Sequence, residues 1–430
     1  MNTPYYNQWG VMHPYLQLLA AIFLLAVFIL PSWYIADMRS ILRSGRRKQE
    51  LSIAGDWKGL EDYFEKEART RRPFVWFRRK YLIPGHLETL YALFLYQQGR
   101  FEEALAKAEQ AIERNKSKLW IFRSFDAKAT FTTLRGALKA RTLILGGLGR
   151  YDEARAAAAE YQKLAGSSGR TDSSLALLEY YCGRLDEAIT LAQAARPEDS
   201  EFDAMRGVVS LCYTMKGDFE QALQALSYAP ADVVKFYTPA GLQALSQSPE
   251  GAELLEAKRQ KLASVFPPAR FINLARVYVA MEDFEKADQA LDQAEKSVGP
   301  QPGLQVSYCR YRACSFAGQG KAKEAELYLD RMRAFVKTFP KRSLLWETHF
   351  GAGRAYLYLH RINDALAELD AAQKCVLHPV EKHGTNYYIA KAHEAAGNQS
   401  EAIKYYELVA ADPIPSRMRQ QAAEVLAARK

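Results

Sequence analysis

Two patterns of apolar and polar residues divide the chain. Residues 15–35 are almost wholly apolar, and no Asp, Glu, Lys or Arg occurs before Asp37. From residue 85 onward a short polar turn recurs instead, with small residues at fixed distances on either side of it. A long apolar segment is typical of a membrane span, and a regularly repeated turn indicates paired helices. The pattern therefore predicts an all-α chain in which one membrane helix precedes a helical array.

The apolar segment is long enough to cross a bilayer. A helix over residues 15–35 would rise roughly 31 Å, about the thickness of a hydrocarbon core. Aromatic residues, which favour the headgroup level, flank it at Tyr15 and Trp33. A cleaved signal peptide would need a basic start and a small-residue cleavage site, and the sequence has neither. We predict a transmembrane helix over residues 15–36; the alternative is a buried helix of a soluble domain.

Basic residues lie on one side of this segment only. Residues 1–14 contain no Lys or Arg, whereas Arg39, Arg43 and Lys48 follow the span closely. Lys and Arg are retained on the cytoplasmic side, so the N-terminus is predicted to lie outside and the rest in the cytoplasm. Five cysteines without a CxxC pair agree with a reducing compartment. We expect a single-pass protein of a bacterial inner membrane.

The recurring turn has a defined order of residue types. Glycine is followed by a polar residue, usually a large apolar one, two polar residues and alanine. The turn reads GRFEEA at Gly99, GRYDEA at Gly149, GRLDEA at Gly183, GDFEQA at Gly217, EDFEKA at Glu282, GKAKEA at Gly320, HRINDA at His360 and GNQSEA at Gly397. Two of the intervals are 34 residues, and the others are 50, 65, 38, 40 and 37.

Small residues keep the same register in every unit. The last residue of the turn is always alanine, and the residue seven before the turn is small or short. These positions are Ala104, Ala154, Ala188, Ala222, Ala287, Ala325, Ala365 and Ala402 after the turn, and Ala92, Thr142, Ala176, Ser210, Ala275, Ala313, Gly353 and Ala390 before it. Only small side chains let two helices approach closely. We therefore predict a helical hairpin at each turn.

The spacing and the small residues resemble the tetratricopeptide repeat (TPR), a helix-turn-helix unit. The resemblance implies an α-solenoid of about 8–10 hairpins. We predict a non-cytoplasmic tail over 1–14, a basic juxtamembrane segment over 37–84, the solenoid over 85–415 and a capping helix over 416–430. GDWKGL at Gly55 is a candidate degenerate first repeat.

Three departures from the repeat carry predictions of their own. The 50-residue interval has room for a longer helix around residues 118–133, and the 65-residue interval for an extra element near 248–265. Glu282 and His360 replace the turn glycine in two units, where we expect looser turns.

Most of the net charge of +9 lies beside the membrane segment, since Arg39–Lys80 holds 13 basic and six acidic residues. Anionic lipid attracts such a cluster. We predict membrane-surface contact by Arg46, Arg47, Lys48, Arg71, Arg72, Trp76, Arg78, Arg79 and Lys80. The alternatives are a solvated linker and, with least support, a nucleic-acid patch; no nucleic-acid partner is expected.

No catalytic or metal-binding pattern stands out. AGQGKA at 317–322 lacks the residues of a phosphate loop, and His378 and His383 do not have the spacing of a zinc site. We therefore expect no enzyme activity, no cofactor and no metal.

Tetratricopeptide arrays commonly bind extended peptides or helices on the concave face, which the first helix of each unit lines. The register places Arg276, Arg310, Arg354, Tyr387 and Lys391 there as a candidate partner groove. Such basic residues would favour an acidic segment or a free C-terminal carboxylate. The alternative is that they are solvated residues on a helix face.

The layout of anchor and repeats resembles two families. One is the bacterial inner-membrane adaptor that regulates lipopolysaccharide synthesis, whose C-terminal rubredoxin-like knuckle is absent here. The other is the mitochondrial outer-membrane import receptor. We therefore predict a membrane-anchored scaffold or adaptor that binds a protein partner at the cytoplasmic face. The alternative is a structural or assembly subunit of a larger membrane complex.

Overall fold

The computed structural model describes residues 47–48, 51, 56–69, 85–116, 127–165, 173–195, 202–227, 268–296, 298, 302–338 and 342–429. The regular elements of these residues are all helices, which confirms the predicted all-α class. They are α1 Trp57–Arg69, α2 His86–Gln97, α3 Phe101–Lys116, α4 Ala127–Gly147, α5 Tyr151–Ala165, α6 Ser173–Tyr181, α7 Leu185–Gln193, α8 Phe202–Lys216, α9 Phe219–Ala225, α10 Pro268–Met281, α11 Phe284–Glu295, α12 Pro302–Gly318, α13 Ala322–Thr338, α14 Arg342–Tyr358, α15 Ile362–Cys375, α16 Pro379–Ala395, α17 Gln399–Ala411 and α18 Arg417–Ala427.

The chain divides into two compact units. The smaller one includes α1, and the larger one comprises Glu88–Ile112 and Leu134–Lys430. At the start of α1 the Asp56 carboxylate accepts the backbone N–H of Gly59 at 2.8 Å, which is a helix N-cap. Leu60 and Phe64 are buried on one face of α1. The candidate repeat at Gly55 therefore coincides with a helix start.

The eight predicted turns each join two helices, from α2 and α3 to α16 and α17. All six turn glycines have a positive φ, between 73° and 83°. The residue after each of the eight turn positions donates its N–H to the carbonyl five residues earlier, at 2.9–3.0 Å. This bond is typical of a helix that ends in a left-handed residue. The predicted helical hairpins are thus confirmed.

Glu282 and His360, which replace the turn glycine in two units, have the same backbone conformation as the glycines. Their φ values are 62° and 56°, and they are the only positive-φ residues other than glycine in the described part of the chain. The hydrogen bond that closes each of these turns is 2.9 Å long. The expectation of looser turns was therefore wrong, since the packing of the hairpins maintains the turn despite the strain of a Cβ at positive φ.

The small residues bring the two helices of each hairpin together. The alanine at the end of each turn is fully buried in all eight units. The residue seven before the turn is fully buried in six of them, at Ala92, Thr142, Ala176, Ala275, Ala313 and Ala390. At Gly353 an added Cβ would lie 2.6 Å from a side-chain carbon of Leu369 in the second helix. The close approach therefore requires small residues, as the sequence predicts.

The first helices of successive hairpins in the larger unit contact one another in the order α6, α8, α10, α12, α14 and α16. The last of these, α16, contacts α6 again, and α18 contacts α8. Because α6 and α16 are far apart in sequence, these contacts close the larger unit on itself.

Several predictions fall outside the described residues. They include the transmembrane helix over 15–36, the extra element near 248–265 and seven of the nine membrane-surface residues; Arg47 and Lys48 alone are described, and both are helical. In the described part of the chain, no helix combines the length and the apolar character that a bilayer crossing demands. The helix predicted around 118–133 is described from Ala127 onward, as the start of α4.

Replacing His360 or Glu282 by glycine should stabilise the protein, because glycine adopts a positive φ without steric cost. We expect each change to raise the free energy of unfolding by about 0.5–1 kcal/mol. Urea denaturation of the full chain measures it. Gly320→Ala is the matched control and should lower stability by a similar amount, since Gly320 has φ 74° and open space around its Cβ position. A loss of stability in His360→Gly would contradict this account.

Candidate functional site

The predicted groove residues lie on four neighbouring first helices. Arg276 is on α10, Arg310 on α12, Arg354 on α14, and Tyr387 and Lys391 on α16. Each of these helices contacts the next one in the series. We call the surface that these residues share the inner face.

Arginines and aromatic rings alternate along the inner face. The guanidinium carbon of Arg276 lies 5.5 Å from the centre of the Tyr311 ring, and that of Arg310 lies 5.0 Å from the same ring. Arg310 is also 5.0 Å from the centre of the Phe350 ring. Arg354 follows, 6.0 Å from Phe350. The Tyr388 ring, 4.8 Å from Arg354, ends the series. We call this series, Arg276–Tyr311–Arg310–Phe350–Arg354–Tyr388, the arginine–aromatic ladder.

Trp346 and Gly351 hold the middle of the ladder in place. The Trp346 ring stacks on Phe350 with centres 4.8 Å apart, and it lies 5.6 Å from the Arg310 guanidinium. Its Nε1 donates to the Thr385 hydroxyl at 3.1 Å. A Cβ at Gly351 would come within 2.7 Å of the Arg310 Cγ. The absence of a side chain at 351 therefore lets α14 approach the stem of Arg310.

The ladder has more positive charge than its neighbours neutralise. Glu347 is its one carboxylate contact among the described residues, 3.4 Å from Nη1 of Arg310. Arg276 donates to the Tyr311 hydroxyl at 2.7 Å, and Arg354 to the Tyr358 hydroxyl at 3.4 Å, and neither contacts a carboxylate in that part of the chain.

Two of the three guanidinium groups are almost completely buried. Arg310 and Arg354 are each 7% exposed, and the Nε atom of each lacks a hydrogen-bond partner. An arginine stays charged in any protein environment, and a buried charge without a counterion is costly. The ladder thus holds more buried positive charge than the single carboxylate that contacts it in the described part of the chain.

Burial distinguishes the predicted groove residues. Arg310, Arg354 and Tyr387 are buried and Arg276 is half-buried, whereas Lys391 is exposed, 5.9 Å above the Tyr387 ring. Of the predicted groove residues, only Lys391 therefore fits the alternative interpretation, a solvated residue on a helix face. The Tyr387 hydroxyl donates to Gln421 of α18 at 2.8 Å.

Sequence reasoning missed Tyr311, Tyr388 and Glu347. The sequence could have predicted that Glu347 lies near the groove, because it is seven residues before Arg354 and so shares its helix face. Tyr311 and Tyr388 each follow directly after a groove position, so only the packing of neighbouring hairpins reveals their role.

A second cluster joins α16 to α5 and α6. The Tyr151 hydroxyl lies 3.2 Å from Nδ1 of His378, and the Tyr181 ring stacks on the His378 ring with centres 4.1 Å apart. The Glu381 carboxylate accepts the backbone N–H groups of Leu377 and His378 at 2.8 and 3.2 Å. We call Tyr151, Tyr181, His378 and Glu381 the closing junction.

Burial shifts the pKa values of two groups in the closing junction, Glu381 on α16 and His378, the N-cap residue before it. It raises the pKa of Glu381 to about 7, and the nearby Glu347 carboxylate adds to this effect while the two backbone N–H groups oppose it. It lowers the pKa of His378 to about 4, so the imidazole is neutral at pH 7. As the pH rises, the raised pKa of Glu381 and the lowered pKa of His378 therefore change the stability of the folded chain in opposite directions.

Ser416, His383 and Asp412 have the residue types of a hydrolytic triad. Nε2 of His383 lies 2.6 Å from the Ser416 hydroxyl, and its Nδ1 lies 3.2 Å from the Asp412 carboxylate. His383 is fully buried and Ser416 is 2% exposed. The Ser416 hydroxyl accepts the backbone N–H of Arg419 at 3.0 Å. Ser416 therefore caps the start of α18.

Among the residues described, no cluster of three or more His, Cys, Asp or Glu side chains could hold a metal ion.

The matches to known proteins are solved structures. No protein-family model matches the chain, and no curated protein matches it. The crystal structure of the P58(IPK) TPR domain is 14% identical, covering 84% of this chain and 99% of its own, with a TM-score of 0.25. The structure of the APC/C Cut9–Hcn1 heterotetramer is 15% identical, and the match covers 87% of this chain and 81% of that one, with a TM-score of 0.24. The assignment of helical hairpins therefore rests on the turns described above.

Removing the carboxylate that contacts the ladder and removing an arginine of the ladder should change the stability of the protein differently. Glu347→Gln leaves Arg310 buried without a carboxylate, so we expect a loss of about 2 kcal/mol in the free energy of unfolding. Arg354→Met removes a charge that has no counterion, so stability should stay equal or rise by about 1 kcal/mol. Urea denaturation compares them, with the exposed Arg331→Met as the control. A loss in Arg354→Met as large as in Glu347→Gln would contradict the unpaired role of Arg354.

The closing junction predicts a measurable pH effect. Between pH 4.5 and 7 the folded chain retains a proton on Glu381 that the unfolded chain loses, so this group makes folding less favourable as the pH rises. His378 has the opposite effect between pH 4 and 6.5.

Glu381→Gln should therefore gain stability relative to the natural chain, by roughly 2–3 kcal/mol, as the pH rises from 4.5 to 7.5. His378→Asn should shift in the opposite direction. Urea denaturation across this pH range measures both variants, and a difference that does not depend on pH would refute the account of Glu381.

Proposed function

We propose that this chain is a membrane-tethered helical-repeat scaffold that binds a protein partner through its arginine–aromatic ladder. The observation that carries the proposal is the charge of the ladder: three arginines, two of them nearly buried, contact a single carboxylate among the described residues. Repeat arrays provide extended surfaces for partners because each hairpin adds a similar strip to the face.

The ligand that the ladder fits best is an acidic segment of a protein. Arginine presents a planar set of donors to a carboxylate, and the rings beside each guanidinium hold that plane in position. Side chains at alternate positions of an extended segment lie roughly 7 Å apart. This spacing suits arginines that share one ring, as Arg276 and Arg310 share Tyr311. A free C-terminal carboxylate is the second ligand that this chemistry favours.

The membrane part of the proposal is supported by the sequence. The apolar segment over 15–36 would anchor the chain, and the basic residues up to Lys80 would contact anionic lipid. The distribution of Lys and Arg favours an outside N-terminus and a cytoplasmic array. On this proposal the scaffold presents its inner face at the cytoplasmic surface, in a bacterial inner membrane.

A second candidate function is a structural subunit of a larger complex. Leu327 on α13 and Leu408 on α17 are large apolar residues of second helices with 58% and 49% of their surface exposed. Burying such residues against another subunit would be favourable. They lie on separate hairpins, so we rank this function below the scaffold.

Binding of a fluorescein-labelled peptide of alternating glutamate and serine tests the proposal. The full chain in lipid nanodiscs should bind this peptide, as measured by fluorescence anisotropy, and should not bind its lysine–serine counterpart. Arg276→Gln and Arg354→Gln should each weaken binding about tenfold, because each removes a charge-assisted contact.

Arg331→Gln is the matched control, because Arg331 is an exposed arginine that also lies beside a ring, 5.4 Å from Tyr328, but on a second helix. Circular dichroism verifies that each variant keeps its helix content. Unchanged binding in both ladder variants would contradict the proposal. Amidation of the peptide C-terminus then separates the two ligands, since only binding of a terminal carboxylate would be lost.

A further inference from the structure

Two buried arginines lie beside the contact between α12 and α14. At this contact the Cys314 thiol donates to the carbonyl oxygen of Gly351 at 3.7 Å. Arg310 is four residues before Cys314, and Arg354 is three residues after Gly351, so each shares a helix face with its half of the contact. Both guanidinium groups lie beside the Phe350 ring, at 5.0 and 6.0 Å from its centre. We call Arg310 and Arg354 the arginine pair.

The one carboxylate beside the arginine pair is shared with another donor. Oε1 of Glu347 lies 3.4 Å from Nη1 of Arg310, and the same oxygen accepts the Ser307 hydroxyl at the shorter distance of 2.6 Å. Nη2 of Arg354 donates to the Tyr358 hydroxyl at 3.4 Å. Within the described ranges, two buried positive charges therefore have one negative charge beside them, and it contacts only Arg310.

The arginine pair also has hydrogen-bond donors to spare. A guanidinium group carries five N–H bonds. The Nε atoms of Arg310 and Arg354 are both buried, and neither has an acceptor among the described residues. A buried donor without an acceptor and a buried charge without a counterion each make folding less favourable. A water molecule would satisfy the donors alone, whereas an anion would satisfy the donors and the charge.

One edge of the arginine pair remains exposed. Arg354 keeps 7% of its surface exposed. Tyr358 and Tyr388, the hydroxyl and the ring that lie beside its guanidinium group, are only half-buried. An ion of a few atoms can therefore approach Arg354 between these two tyrosines while the hairpins stay packed.

The donors of the arginine pair favour an oxygen anion. A guanidinium group presents parallel N–H bonds that match the spacing of the oxygens in carboxylate and phosphate groups. A tetrahedral anion carries four oxygens, so it can accept from two guanidinium groups at once. Its charge would also offset the excess that Glu347 leaves.

We propose that the arginine pair is a binding site for a small tetrahedral oxyanion of the phosphate or sulfate class, which serves as its counterion. The site does not depend on the proposed scaffold function, because the ion binds whether or not an acidic segment follows. Such a ligand stabilises the folded chain, since the unfolded chain does not hold the two arginines together.

Urea denaturation with increasing inorganic phosphate tests the site. The full chain in nanodiscs is measured at pH 7.5, and sodium chloride keeps the ionic strength constant. The ratio of folded to unfolded chain should rise in a saturable manner, about tenfold when phosphate reaches ten times its dissociation constant. A general effect of phosphate on solvation would not saturate and would be the same in every variant.

Variants of the arginine pair should remove this gain. Arg354→Met should abolish it, and Arg354→Lys, which keeps the charge but loses the planar donors, should need about tenfold more phosphate. Arg331→Met is the matched control and should keep the full gain, because Arg331 is exposed and lies beside the Tyr328 ring on a second helix. Circular dichroism verifies the helix content of each variant.

Calorimetric titration of phosphate into the folded chain gives a second readout. The natural chain should bind one phosphate with a heat signal that Arg354→Met lacks, and Arg331→Met should match the natural chain. A stability gain or a heat signal of equal size in the natural chain and in Arg354→Met would overturn the site. So would the absence of any saturable effect of phosphate on the natural chain.

The anion site and the scaffold function fail in different ways. Both use Arg354, so phosphate should raise the apparent dissociation constant of the glutamate–serine peptide. Phosphate binding that depends on Arg354 but leaves peptide affinity unchanged would contradict peptide binding at the ladder, while the anion site stands. Peptide binding by a natural chain that does not respond to phosphate would overturn the anion site and leave the scaffold function standing.

Discussion

The close approach of two helices at each turn is the constraint on which the rest of this structure depends. The turn residue must adopt a positive φ, and the alanine after it must be fully buried, for the second helix to lie against the first. Glu282 and His360 show the strength of this constraint, because they adopt the strained conformation of the glycines that they replace. Repeated hairpin packing sets the register of the first helices and so places the inner-face residues of successive helices in line.

That alignment explains why the arginine–aromatic ladder exists. Each arginine lies on one first helix and contacts a ring of the next, so the series extends as long as the hairpins stack in register. The rings hold the guanidinium groups away from water without supplying negative charge. Glu347 alone supplies a carboxylate contact to the ladder within the described residues. This excess of positive charge is the feature on which the proposed binding of an acidic segment rests.

The sequence predicts the hairpins well because their determinants are local. The turn glycines and the buried alanines recur in register, and their roles follow from sterics alone. The arginines of the inner face could also be found from the register. Their burial could not, because it depends on rings of the next hairpin, as in the contacts of Arg310 with Phe350 and of Arg354 with Tyr388. The contact of His378 with Tyr151 and Tyr181 could not be predicted from the repeat pattern, because these residues do not occupy the same position of the repeat.

The central claim is that ladder arginines pair directly with carboxylates of a bound segment. A double-mutant cycle tests it most directly, with Arg354→Gln in the protein and glutamine in place of each peptide glutamate in turn. The account predicts that one substitution couples to Arg354 by about 1–2 kcal/mol, the range of a charge-assisted hydrogen bond. Coupling near zero at every peptide position, with binding otherwise intact, would show that the segment binds elsewhere and would contradict the account.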